Sequence, residues 1–142
     1  MSQPPRILGL DVGNRRIGVA VSDGLGLTAQ PVLTLMRKNP REDLRSLARL
    51  ARKYGCQEIV VGNPLHLSGN LSTQAKKTQA FAQRLADETK LPVHLWDERL
   101  TTAEAHHILY ESGRPRAEHR KIVDQVAAVI ILQGFLDAKR DT

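Results

Sequence analysis

Two short apolar runs, Ile7–Val12 and Ile17–Val21, are separated only by Gly13-Asn14 and two arginines. A Gly-Asn pair between strand-length runs predicts a tight turn and an antiparallel hairpin. A third, weaker strand is expected near Pro31–Met36, so the chain opens as an antiparallel meander. The period then changes. Within Pro40–Tyr54, Leu44, Leu47, Ala48 and Ala51 recur at i, i+3, i+4 and i+7, which predicts a helix ended by Gly55. Glu58–Val61 reads as a buried strand broken by Gly62-Asn63-Pro64. A second helix is expected over Leu71–Thr89 and another strand over Pro92–Trp96. Thr101 and Glu104 form a capping box that opens a third helix, ended by Gly113. Arg114–Lys121 reads as a basic connector. Ile122–Leu136 reads as a last helix, apolar nearly all round and therefore buried. Strands first, then strand–helix alternation, predict an α/β fold with a mixed sheet covered by helices.

With 142 residues, the expectation is one domain spanning residues 1–142. A chain of this size buries roughly 70% of its unfolded surface, enough for a real core. Lys and Arg total 21 against 15 for Asp and Glu, a formal charge of +6. Such a field concentrates polyanions, although it also serves solubility alone. The single cysteine, Cys56, has no internal disulfide partner and is expected as a buried small hydrophobe in a reducing compartment. Met1-Ser2-Gln3-Pro4-Pro5 lacks the apolar core of a signal peptide, and no apolar stretch approaches the roughly 20 residues that span a bilayer. A cytoplasmic location without membrane contact is therefore expected.

Three carboxylates stand out. Asp11 ends the first strand in step with Ile7 and Gly9, and a carboxylate beside a buried sheet needs a partner. An Asx-turn shaping the hairpin explains it equally well. Asp97-Glu98-Arg99 follows a strand, at the strand end where open α/β sheets place ligands. A local ion pair with Arg99 and helix capping is the alternative. Asp124 shares a helix face with Ala127, Ala128 and Ile131, and a charge there must be compensated. Complementing the helix dipole would also account for it. Three such carboxylates on separate elements of a basic protein suit Mg²⁺ or Mn²⁺, which prefer hard oxygen ligands. Two ions about 4 Å apart can activate water and stabilise the leaving oxygen of a phosphodiester. His66, His94, His106, His107 and His119 lack zinc-site spacing, no GxxxxGK[ST] loop occurs, and Ser22, Ser68 and Ser72 lack a nucleophile-elbow context.

These residues also carry a resemblance. The stretch from Ile7 to Asp23 resembles the signature strand pair of the YqgF family. Val61-Gly62-Asn63-Pro64-Leu65 with Gly69, Asp97-Glu98-Arg99-Leu100-Thr101-Thr102, and Val123-Asp124-Gln125-Val126-Ala127-Ala128 through Gln133 match its other motifs. The resemblance implies an RNase H-like fold, a five-stranded mixed sheet flanked by helices, related to RuvC-type Holliday junction resolvases. It implies a metal-dependent nuclease that matures the 5′ end of pre-16S ribosomal RNA, Holliday junction resolution being the older label. Carried over by motif, Asp11, Glu98 and Asp124 are the catalytic and metal-binding acids, and Arg16 is the basic residue of the first motif. In RuvC-type resolvases a Glu is expected near the end of the fourth strand. Here that strand ends Gly62-Asn63-Pro64, so the second acid must come from Glu98.

Four readings follow. The first is an endonuclease acting on ribosomal precursor RNA, with Arg15, Arg16, Arg114, Arg116, Arg120 and Lys121 holding phosphates. A solvated charged surface is the alternative for each of these. The second is the same chemistry on branched DNA. The third is a non-catalytic nucleic-acid-binding factor, disfavoured by an aromatic content of only 4% and by three acids that repel phosphates unless a metal intervenes. The fourth, an actin-like or sugar-kinase-like ATPase, rests on Asp11-Val12-Gly13 but needs two lobes, and this chain has room for one. Either a monomer or a homodimer is compatible with all of these.

Overall fold

The computed structural model describes residues 4–63, 73–97 and 116–140, with backbone alone for 116–121. The opening hairpin forms as expected. Strand β1 (Arg6–Val12) pairs antiparallel with β2 (Arg16–Ser22), with Val12 opposite Ile17 and Asp11 opposite Gly18. The turn is closed by the Gly13 amide, which donates to the Arg16 carbonyl at 2.9 Å. Strand β3 (Ala29–Met36) adds antiparallel to β2. Helix α1 (Pro40–Lys53) follows. The Asn39 side chain accepts from the Glu42 amide at its start, and Pro40 occupies the first turn, where its missing N–H costs nothing. Gly55, at φ +65°, supplies the left-handed residue that ends it.

Strand β4 (Cys56–Asn63) lies parallel to β1, helix α2 (Thr73–Thr89) crosses back, and β5 (Val93–Asp97) lies parallel to β4. Helix α3 (Arg116–Arg140) closes the order. The sheet runs β3-β2-β1-β4-β5, a five-stranded mixed sheet. Its alternating side chains feed two cores. Leu8, Leu10, Val19 and Val61 pack under α1 and α2 with Leu47, Phe81 and Leu85. Ile7, Ala20 and Val60 meet Ala128, Ile131 and Leu132 of α3 on the other face. Cys56 is buried against the first core, and burial pushes its thiol up to about 11.

Two expectations about the C-terminal part are corrected. Residues 116–121 are helix rather than connector. After Pro115 nothing interrupts helix formation, since Ala117, Glu118, His119, Arg120 and Lys121 all tolerate it. Nor is the apolar helix buried all round. Ala127, Ala128, Ile131, Leu132 and Leu136 are buried, while Val126, Val129 and Ile130 are half-buried, because one side of α3 rests on the sheet. The helix expected from Thr101 lies outside the described residues.

Candidate functional site

Helix α3 approaches the sheet over strand positions that have no side chain. A Cβ built on Gly18 would sit 1.9 Å from the Asp124 carbonyl oxygen. One on Gly9 would meet the Leu132 Cβ at 2.7 Å. Backbone therefore rests on backbone at Gly18, as interior strand glycines often permit. Gly18 is the cross-strand partner of Asp11. Directly opposed residues in an antiparallel pair point to the same face. Asp11 thus shares the α3 face with Ile7 and Gly9, and its neighbour across the ladder touches the backbone of residue 124. Two of the three expected acids, from elements more than a hundred residues apart in sequence, thus both adjoin Gly18, Asp11 across the ladder and Asp124 through its backbone.

Asp124 does not act there as a helix-dipole partner. It lies in the interior of α3, and its Oδ2 accepts from Arg16 Nε at 2.7 Å. The pair is largely sheltered, with side chains 24% and 17% exposed. This gives Arg16 a definite role, that of neutralising a carboxylate the helix presses against the sheet. Asp11 is half-buried and engaged by neighbouring groups. Arg15 is exposed at the turn. Glu98, Arg99 and Arg114 lie outside the described residues. Arg116, Arg120 and Lys121 fall on the opening turns of α3.

Sequence reasoning missed the brace beneath this corner. Arg37, just after β3, donates through Nη1 to the Gly13 carbonyl at 2.8 Å and through Nε to Asp43 Oδ2 at 3.0 Å, and its guanidinium lies over the Phe81 ring. Asp43, only 2% exposed, also accepts from the Lys38 amide. The Asp11–Arg16 turn is thereby tied to α1 and α2. The signal available beforehand was an acid, Asp43, beside the apolar stripe of α1.

Among the described residues no group of three or more His, Cys, Asp or Glu side chains is poised to hold a metal ion. The oxygen donors of Asp11 and Asp124 nevertheless suit a hard divalent cation, and Mg²⁺ commonly takes one or two carboxylates and keeps several waters. No helix among the described residues is long and apolar enough to cross a membrane.

Comparison with known proteins gives concordant results. Residues 5–138 match the family model RuvX, described as Holliday junction resolvase. A Moorella thermoacetica protein named "Putative pre-16S rRNA nuclease" is 52% identical over 132 residues, 93% of this chain and 94% of its own length. A Clostridium novyi protein of the same name is 47% identical, covering 94% and 98%. Thermus thermophilus RuvC in complex with a Holliday junction superposes with a TM-score of 0.63 at 14% identity, covering 98% of each chain. The fowlpox virus resolvase bound to junction DNA gives 0.54 at 10% identity, covering 94% and 98%. At those identities the likeness concerns the fold, which is the RNase H-like fold of RuvC.

Proposed function

The chain belongs to the RuvX family, and we propose that it is a divalent-metal-dependent endonuclease that processes the 5′ end of pre-16S ribosomal RNA. What supports the reading is that Asp11 and the Asp124 backbone both adjoin Gly18, in a chain about half identical to relatives named for that activity. Asp11, Glu98 and Asp124 would hold Mg²⁺ or Mn²⁺, which would supply Lewis acidity to the phosphodiester and activate water. The chain's own part is to fix the acids. The β1–β2 ladder sets Asp11, the contact at Gly18 sets the depth of α3, and Arg16 orients the Asp124 carboxylate. Arg37 and Asp43 hold the turn that joins them. Arg15 and the basic opening turns of α3 are the proposed phosphate contacts. Residues 1–142 would act as one nuclease domain, working in the cytoplasm where ribosomal precursors are processed.

Branched DNA is the second substrate to weigh, since the family description names junction resolution. Against it stands β4, which ends in Asn63 where the RuvC pattern has an acid. The deciding experiment incubates the pure protein with ribosomal precursor RNA and with four-way DNA junctions, with and without Mn²⁺, beside Asp11→Asn. Mn²⁺-dependent cleavage of the RNA that Asp11→Asn abolishes is the expected result. Cleavage of junctions alone would transfer the activity to DNA. Cleavage of neither would leave a binding factor.

A further inference from the structure

On the other side of the sheet from Asp124, a cleft of about 270 Å³ opens between α1 and α2. Val12, Asn14, Arg37, Lys77, Thr78 and Arg84 line it, and among the described residues no acid does. Val12 directly follows Asp11, so the cleft begins one residue from the proposed catalytic corner, on the face to which alternation turns the next side chain. Gln74, Lys77, Thr78, Phe81 and Arg84 form a single stripe along α2, at helical spacing.

Three independent features suit this cleft to an anion. Lys77 and Arg84 are exposed and have no acidic partner among the described residues, whereas Arg37 is already committed to Asp43. The topology directs the N-termini of both α1 and α2 to this end of the sheet, since each follows a strand parallel to β1. The first turn of α2 carries no acid to offset its positive end. Finally, Thr78 is among the residues that line the cleft, and its hydroxyl is buried without a hydrogen-bond partner, in a residue 1% exposed. A buried hydroxyl left so is costly, and an anionic oxygen entering the cleft is a natural acceptor for it.

We infer that this cleft binds a backbone phosphate of the nucleic-acid strand, so that the substrate wraps the end of the sheet from the Asp11–Asp124 corner to α2. The inference rests on the nuclease reading for its substrate class. It assigns Lys77 and Arg84 as phosphate contacts and Thr78 as a hydroxyl donor. A lone phosphate would satisfy the same chemistry, but a strand passing one residue away from the cleft is the source favoured by position.

The test is fluorescence anisotropy of a fluorescein-labelled RNA strand in EDTA, where cleavage does not interfere, over a series of salt concentrations. Lys77→Ala/Arg84→Ala should weaken binding about tenfold and lower the log–log salt slope by roughly 0.7, the contribution of the one strand phosphate that the cleft would hold. Arg52→Ala/Lys53→Ala, an equal loss of charge at the far end of α1, should leave the slope unchanged. Thr78→Val should weaken binding roughly threefold without lowering Tm, which a merely structural hydroxyl would not do. Equal losses in both double variants reduce the effect to net charge and overturn the inference. If inorganic phosphate raises the Tm of the wild type but not of Lys77→Ala/Arg84→Ala, while RNA affinity is the same in both, the cleft binds free phosphate and the strand reading falls. Normal RNA binding by the variants with intact cleavage removes this inference alone. Loss of the nuclease reading shows separately, as wild-type protein that binds RNA here but does not cut it.

Discussion

Arg16 and Asp124, on β2 and α3, are 108 residues apart in sequence and joined by a 2.7 Å hydrogen-bonded ion pair beside Gly18. The guanidinium that the first motif supplies therefore bonds to the carboxylate that the last motif supplies. Mutual repulsion of acids at this corner predicts that neutralising Asp124 raises metal-free stability. The ion pair reverses the sign, since the charge lost is one already compensated. Any divalent cation at Asp124 must share or compete with Arg16.

Arg16→Ala tests that competition. It leaves a sheltered carboxylate without its partner, and stability should fall by about 1–3 kcal/mol in the absence of metal. Mn²⁺ should then raise Tm more in the variant than in the wild type, because a ligand specific to the native state stabilises in proportion to its affinity. Thermal melts of both proteins with and without Mn²⁺ give the answer. A smaller rise in the variant means Arg16 assists metal binding rather than opposing it.

Asp11→Asn, Glu98→Gln and Asp124→Asn should each abolish cleavage, and pairs of them should be little worse than the singles, as groups acting as one unit behave. Asp124→Asn should also lower the metal-free Tm, through the lost pair with Arg16. A folded single variant with full activity removes its residue from the site, and wild-type cleavage in excess EDTA ends the metal mechanism.

Gly18→Ala should be the most damaging of the small substitutions. Its methyl would overlap the Asp124 backbone, which yields only if α3 lifts. The expected cost is at or above the upper end of the roughly 1–3 kcal/mol typical of overpacking. Gly9→Ala would meet the Leu132 Cβ at 2.7 Å, a smaller overlap though one that no side-chain rotation relieves, and should cost less. Urea denaturation ranks the two, and equal costs would show that the close contact at Gly18 is not what fixes the helix.

Asp43→Ala should destabilise by about 1–3 kcal/mol, since it leaves the partly buried Arg37 guanidinium and the Lys38 amide without their acceptor. Arg37 then loses its anchor, and the turn carrying Asn14 and Arg15 is freed from α1. Hydrogen exchange of the Gly13 and Arg16 amides should accelerate along with the drop in stability. Unchanged exchange there would confine Asp43 to capping α1.

Cys56 gives a pH signature. Its folded thiol titrates near 11, above its ordinary value of 9.0, because burial disfavours the thiolate. The unfolded state therefore binds fewer protons between those values, and stability contributed by the neutral thiol is full below pH 9 and lost as pH rises toward 11. Cys56→Ala should remove that part of the alkaline decline. An identical decline in the variant would assign it to other groups.

Much of this fold was legible in the chain because its signals are local. Gly13-Asn14 between apolar runs fixes the hairpin, and a stripe of Leu and Ala fixes α1. The shift from period two to period 3.6 orders the elements, since backbone hydrogen bonding and side-chain direction depend on near neighbours. The acids Asp11 and Asp124 were likewise visible as charges in apolar settings. Their relation was not. That Arg16 bonds to Asp124, that Gly18 brings α3 down to backbone contact, and that Arg37 reaches from the end of β3 to brace the turn all depend on how separate elements pack. So does the length of α3 exposed on one side, which hydrophobicity alone overstated as buried. Residue spacing fixes which face a side chain occupies, but only the packed sheet and helices decide which other face it meets, and at what distance.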